Sequence, residues 1–476
     1  MTPLLAALPP FGTLPGELAR AAGVAAAFGL LFATAELWAR RFHPPVEWTR
    51  KYVHVAGGLV SMSLPWLFRW HWTVLALGAG LAVILLIARR FGLLASIHAV
   101  ERESRGELYF PVGVYLLFLL SHGQPVFYMV SLFTLVVADA VAALLGRSYG
   151  RHPFTVGTDR KSIEGSVVFL LAAFLGVHLP LLLMTGIDRG TSVIIAVQLA
   201  LLVASFEAIS TGGNDNLVLP LATYYLLVRL TPSNAAYIAY QLAAQLFILL
   251  LVLVLARRTR FLTFSGALAA HLVLYGAFSL GGVAWIVPPA LALAAFISLD
   301  AIFSRALGMP RGGYQVAAIF YVSIVSVMLL FADNSFATLV PGRHGLGTGH
   351  PFHPLFVGSL AAPVAILAFE TMESLPRVRR RSALNRALAA ASLGFAFVAP
   401  LGLWALGGSV SGEGLACAAL IDAGALALYL GARRLLRWPP GTVWDLRAVG
   451  LNVLVATLLV LPLHFTWLGV APWSLE

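Results

Sequence analysis

The stretch "AAQLFILLLVLVLARRTR", Ala243 to Arg260, runs fourteen residues without a charge and then places three arginines in four positions. An apolar run closed by arginines reads as a membrane-crossing helix with its end anchored among lipid headgroups. Similar runs recur at Gly23 to Ala39, at Val193 to Ala204 with its flanks, and at Leu451 to Leu463. Over 476 residues the chain is 60% hydrophobic and 11% charged, with a mean hydropathy of +0.89, far from the composition of soluble domains. The fold class is therefore an all-α, polytopic integral membrane bundle, with about 14–16 transmembrane helices expected from the spacing of apolar runs.

The formal charge of +11 is not gathered into a soluble basic domain. It lies in short loops such as "ARRFHPPVEWTRK", "GRSYGRH", "ARRTR" and "RVRRRSALNR", which follow alternate spans, while "SHGQP" and "ADNSFATLVPG" between them are poor in Lys and Arg. That alternation follows the positive-inside rule: it places the basic loops in the cytoplasm and both termini outside, and it argues against a nucleic-acid partner. The first residues, "MTPLLAALPPFGTLPGELAR", lack a basic start and a small-residue cleavage pattern and are expected to be retained. A single cysteine, Cys417, excludes an intrachain disulfide framework, a cysteine metal cluster and dithiol chemistry.

A soft boundary at "ARRTRFLTFSG", Ala256 to Gly266, divides the chain. Residues 1–44 hold an N-terminal span, 45–260 carry loops rich in carboxylates, amides and hydroxyls, and 261–476 carry mainly basic loops, so chemistry is expected in the middle part. Four clusters there fall on the cytoplasmic side of neighbouring spans. In "TRKYVHVAGG", Arg50, Lys51 and His54 share a helix face, either as a phosphate-holding surface or as ordinary snorkelling anchors. "ERESRGELYFPVG" offers Glu103 and Arg105, which would order a loop over a nucleotide or simply pair with one another.

The third cluster is "VVADAVAALLGRSYGRHPFTVGTDRKSIEGS", Val136 to Ser166. Asp139 sits inside an apolar segment, where an acid costs up to about 3 kcal/mol on translocon-type scales. Gly146, seven residues on, shares its face and would let a ligand or a loop come close. Ser162 is a good N-cap, with Glu164 and Gly165 in the following first turn and Lys161 just outside it. Such a terminus is either an anion site or a capped, lysine-anchored helix whose Glu164 complements the dipole. The fourth cluster, "FEAISTGGNDNLVLPL", sets Glu207 in a span and breaks it with "GGNDN". Asp215, with Glu207 and Asp139, would offer hard oxygens suited to Mg²⁺; a plain interhelical turn is the alternative. The histidines of "GRHGLGTGHPFHP", Gly342 to Pro354, read as a flexible outer loop rather than a metal site, and the run lacks the ending of a P-loop.

In this order the clusters resemble the CTP-dependent lipid-alcohol kinases, the family of dolichol kinase, phytol kinase, bacterial polyprenol kinases and CTP-using diacylglycerol kinases. The resemblance rests on Arg50-Lys51-x-x-His54, the Asp139 to Gly146 helix, Lys161-Ser162-x-x-Gly165-Ser166, and Glu207, Asp215-Asn216 and Pro220. It spans residues 45 to 225. Ala138 stands before Asp139, where phytol kinases often carry glycine, and the spans after residue 260 have no counterpart in compact members.

The resemblance implies a membrane phosphotransferase acting at the cytoplasmic face on a lipid alcohol, with CTP as donor and Mg²⁺ as cofactor. Asp139, Lys161 and Asp215 would be catalytic, with Asp139 and Asp215 also holding the metal. Arg50, Lys51, His54, Gly146, Ser162 and Gly165 would contact phosphates, and Glu103, Arg105, Glu164, Glu207 and Asn216 would support them. Two rivals stand beside it. One is a phosphatidate cytidylyltransferase-like enzyme; the other is a transporter using Asp300, Glu370, Glu373 and Asp422. The residues by themselves name neither the alcohol nor an oligomeric state.

Overall fold

A computed structural model describes residues 12–91, 106–157, 159–308, 313–339, 350–407, 410–435 and 446–468. Among them the chain is helical almost throughout, and it divides into two compact units, Met1–Ala243 and Ala244–Glu476. Thirteen helices among the described residues are long and apolar enough to cross a membrane. The chain is a multi-pass integral membrane protein.

In the first unit the helices are α1 (Leu14–Phe42), α2 (Val46–Met62), α3 (His71–Arg90), α4 (Gly106–Leu120), α5 (Pro125–Tyr149), α6 (Ile163–Met184), α7 (Arg189–Ile209) and α8 (Asp215–Leu230), followed by the start of α9 (Ala235–Thr259). Helices α2, α4 and α8 are shorter than a full span, and α2 carries Glu47, Arg50, Lys51 and His54 along its first half. The core is made by the inner faces of α4 to α8. Leu117, Tyr128, Leu132, Leu135, Phe169, Leu199, Val203 and Leu227 are all closed to solvent there.

One feature departs from an all-helical expectation. Between α5 and α6 the segment "PFTVGTDRKS" folds as an antiparallel hairpin, β1 (Pro153–Val156) and β2 (Asp159–Ser162), with Val156 opposite Asp159. Gly157 opens the two-residue connection at φ +59°, the left-handed region that short hairpin turns demand and that glycine enters without strain. The hairpin ends on Ser162, whose extended backbone and side chain start α6.

The second unit comprises the rest of α9, then α10 (Phe264–Gly281), α11 (Val283–Leu307), α12 (Val316–Leu339), α13 (His353–Ser374), α14 (Ala383–Gly407), α15 (Gly412–Leu435) and α16 (Leu446–Trp467). Its axis is α13, which packs against α11, α12, α14, α15 and α16 and is 94% buried over its apolar window. Residues 342–349 of the histidine-bearing run lie outside the described residues, but its end is not a free loop. His350 Nδ1 lies 2.7 Å from Asp333 Oδ2, and His353 is buried against Trp285 with ring centroids 4.8 Å apart. The physical reason is Asp333 itself, a buried acid on α12 whose carboxylate is satisfied by His350 and by the Phe352 N–H.

Candidate active site

Helix α5 does not run evenly. Thr134–Ala138 forms a π turn, and Asp139 is the first residue after it. A π turn widens the helix by one residue and redirects the side chains and carbonyls that follow, a device that recurs where proteins do chemistry. Here the redirected groups meet α2. Lys51 Nζ donates to Asp139 Oδ2 at 2.6 Å, and His54 Nε2 lies 3.3 Å from the Leu135 carbonyl and 3.8 Å from Asp139 Oδ2. Lys51 and His54 are three residues apart and share one helix face. Arg50 turns aside: it donates to Glu47 Oε1 at 2.7 Å and is more exposed than Lys51.

A second pair lies beside the first. Lys161, at the end of the hairpin, donates to Glu207 Oε1 at 2.8 Å and also to the Glu207 backbone carbonyl. Glu207 is in the last turn of α7, just before the chain turns through Gly212 and Gly213, both at positive φ. Two successive left-handed residues let the backbone reverse within five residues and begin α8 at Asp215. Asp159 Oδ2 accepts the Gly212 N–H at 3.3 Å, so Asp159 and Lys161 both fasten the hairpin to this turn.

Asp215 Oδ1 accepts the Asn216 N–H at 3.0 Å, and Asn216 Nδ2 donates to the Gly106 carbonyl at 3.0 Å, tying the turn to the start of α4. Asp215 is close enough to act electrostatically on Arg50, His54 and Glu207, and Asp139 on Arg50, His54 and Glu207. Lys161 acts likewise on Asp139. Arg50, Lys51, His54, Asp139, Lys161, Glu207 and Asp215 thus form one charge cluster drawn from α2, α5, the hairpin, α7 and α8. A buried ion pair loses solvation that its attraction only partly returns, so two such pairs side by side are not explained by stability.

Gly146, Ser162 and Gly165 come together for a different local reason. Ser162 Oγ accepts the Gly165 N–H at 3.1 Å and donates to the Gly146 carbonyl at 3.3 Å. A Cβ on Gly146 would stand 2.9 Å from the Gly165 Cα and 3.0 Å from Ser162 Oγ, so the two glycines let α6 begin directly against α5. Glu164 points elsewhere: it accepts from His152 Nδ1 at 2.7 Å and from the His152 N–H, on the outside of the hairpin. Glu103 and Arg105 lie outside the described residues.

Reading by residue type singled out neither Asp159 nor Glu47. Asp159 stands inside the run "GTDRKSIEGS", where its burial beside the exposed Arg160 becomes visible only once β2 is known to be a strand. Glu47 stands three residues before Arg50, a helix-pair spacing that was legible in "VEWTRK".

No family model matches the chain. No solved structure matches it. Phytol kinase of Synechocystis sp. is 34% identical over 206 residues, which is 43% of this chain and 88% of that protein. A relative at this identity, matched along nearly its whole length, shows the family: the chain belongs to the CTP-dependent lipid-alcohol kinases and is a phosphotransferase with an alcohol group as acceptor.

Proposed function

We propose that this kinase moves the γ-phosphoryl group of CTP to the hydroxyl of an isoprenoid alcohol or diacylglycerol, with Mg²⁺, at the cytoplasmic face. The observation that carries the reading is the Lys51–Asp139 pair beside the Lys161–Glu207 pair. Phosphoryl transfer asks a protein for positioning and charge neutralisation more than for covalent chemistry. Lys51, Lys161 and Arg50 supply the positive charge, and each now leans on a carboxylate that phosphate oxygens would replace. His54 lies beside Asp139, Asn216 holds the turn, and Glu207 holds Lys161, while Gly146, Ser162 and Gly165 would present the start of α6 to a phosphate.

The residues fit Mg²⁺. Among the described residues neither Asp139 Oδ1 nor Asp215 Oδ2 is in a hydrogen bond, and Mg²⁺ sites commonly combine one or two carboxylates with substrate phosphates. Among the described residues no group of three or more His, Cys, Asp or Glu side chains gathers, so nucleotide and water would complete the set. When bound, the ion would neutralise charge on the phosphates. Alternatively, Asp139 or Asp215 would accept the alcohol proton.

The cytoplasmic placement rests on the basic loops. The nucleotide then arrives from water and the alcohol from the bilayer, meeting where α2 begins and α7 ends, beside Asp139 of α5. The test is transfer of label from γ-labelled CTP by the purified full chain with Mg²⁺ and a panel of phytol, farnesol, long polyprenols and diacylglycerol. Label in one lipid names the acceptor. Label from ATP but not CTP overturns the donor assignment, and no transfer from either nucleotide to any lipid overturns the reading.

A further inference from the structure

Helix α13 ends at Ser374, and the chain continues through a four-residue helix, Pro376–Arg379, into Arg380 and Arg381 before α14 begins. An open recess of about 410 Å³ lies at this corner, lined by Ser374, Pro376, Arg379 and Arg380. Three consecutive exposed arginines would ordinarily be read as a topology signal. Two observations say that this corner is built.

The acids nearby are consumed from within. Glu370 Oε1 accepts from Arg433 at 2.6 Å and from the Tyr429 hydroxyl at 3.1 Å, and Glu373 is paired with Arg386, with Arg433 3.7 Å from its other oxygen. Arg379, Arg380 and Arg381 are left without an acidic partner among the described residues. The turn is also held in shape. Buried Arg386 donates to the Arg379 carbonyl at 2.8 Å and to the Arg381 carbonyl, so a single guanidinium fixes both ends of the arginine run while its charge is met by Glu373.

We propose that this corner of the second unit binds the phosphate group of an anionic membrane lipid, with Arg379 and Arg380 as the cationic contacts, while the Ser374 hydroxyl in the wall donates to the Glu370 carbonyl at 2.9 Å. Arginine presents paired N–H groups that match phosphate oxygens. A recess of this size accepts a headgroup. The chemistry of the ligand is a phosphate ester, and its source is the bilayer, because α13 and α14 are spans and the recess lies where they terminate, at the depth of lipid phosphates. The assignment is independent of the kinase chemistry of the first unit.

The experiment uses the purified full chain in detergent and measures binding of a fluorescent phosphatidic acid, with phosphatidylcholine and inorganic phosphate as competitors. The expected result is saturable binding that Arg379→Ala/Arg380→Ala weakens by about thirtyfold, the scale of two lost arginine contacts at a membrane surface. Arg257→Ala/Arg258→Ala, which removes the same charge from another basic loop, should leave it unchanged. Glu373→Gln, which loosens the Arg386 clasp without removing an exposed arginine, should weaken binding less than the double variant, with thermal unfolding confirming that each protein is folded. Equal losses in the two double variants would mean that overall charge, not this corner, attracts the lipid. Competition by inorganic phosphate as effective as that by the lipid would make it a soluble-phosphate site. Either result, or binding indifferent to Arg379 and Arg380, overturns the proposal.

Discussion

Lys51 Nζ and Asp139 Oδ2 lie 2.6 Å apart although 88 positions separate them in the chain, and both side chains are largely withdrawn from solvent. Removing one member strands the other, and removing both relieves that strain. Asp139→Asn should therefore lower stability and abolish transfer. Lys51→Met/Asp139→Asn should recover much of the lost stability but no activity. Unfolding temperature and initial rate, measured on the same preparations, separate the structural loss from the catalytic one. Appreciable turnover by folded Asp139→Asn would remove Asp139 from the mechanism.

Lys161 fastens the hairpin to the end of α7 through both the side chain and the backbone of Glu207. Lys161→Ala should raise the KM for the nucleotide by about tenfold or more and also lower kcat, as expected when a charge-assisted phosphate contact is lost. Glu207→Gln keeps a hydrogen-bond acceptor for the lysine and should cost less. Equal effects from the two substitutions would mean that Lys161 acts only as a structural tie.

The approach of α6 to α5 through Gly146 and Gly165 admits no side chain. Gly146→Val should destabilise the protein by about 1–3 kcal/mol, since the atoms it meets include backbone that moves only with the whole helix end. Gly276→Ala on α10 meets nothing within 4 Å and should be neutral or stabilising, because alanine favours the helix. Unfolding temperatures of the two variants in one detergent provide the comparison.

His350 lies outside the spans, and its hydrogen bond to the Asp333 carboxylate raises its pKa above the usual 6.5, against an opposing contribution from burial. A raised folded-state pKa gives stability that is complete below the unfolded value and is lost as the pH climbs through the folded value. The unfolding temperature should accordingly decline from pH 6 upward through that window, and His350→Gln should flatten the decline. An unchanged slope in the variant would show that the pair does not couple to unfolding.

The membrane bundle was legible because hydropathy is local: a run such as Ala243 to Ala256 has few alternatives to a buried or lipid-facing helix. The N-cap at Ser162 and the break at "GGNDN" were legible for the same reason, since capping oxygens and left-handed glycines act over three or four residues. The hairpin was less visible. Its strands are four residues each, too short for alternation to stand out, and they are held by Asp159 and Lys161 reaching a turn some fifty positions away.

The sequence by itself determined that this is a helical membrane protein with acids, lysines and hydroxyls clustered at the ends of its early spans. Only the tertiary structure decided who pairs with whom. Lys51 rather than Arg50 meets Asp139, Lys161 meets Glu207, and Ser162 closes on Gly146. The reason is physical: a buried charge must find its counter-charge within a few ångströms, and which one is in reach depends on how the helices cross and where a π turn re-aims a side chain, not on residue type or spacing.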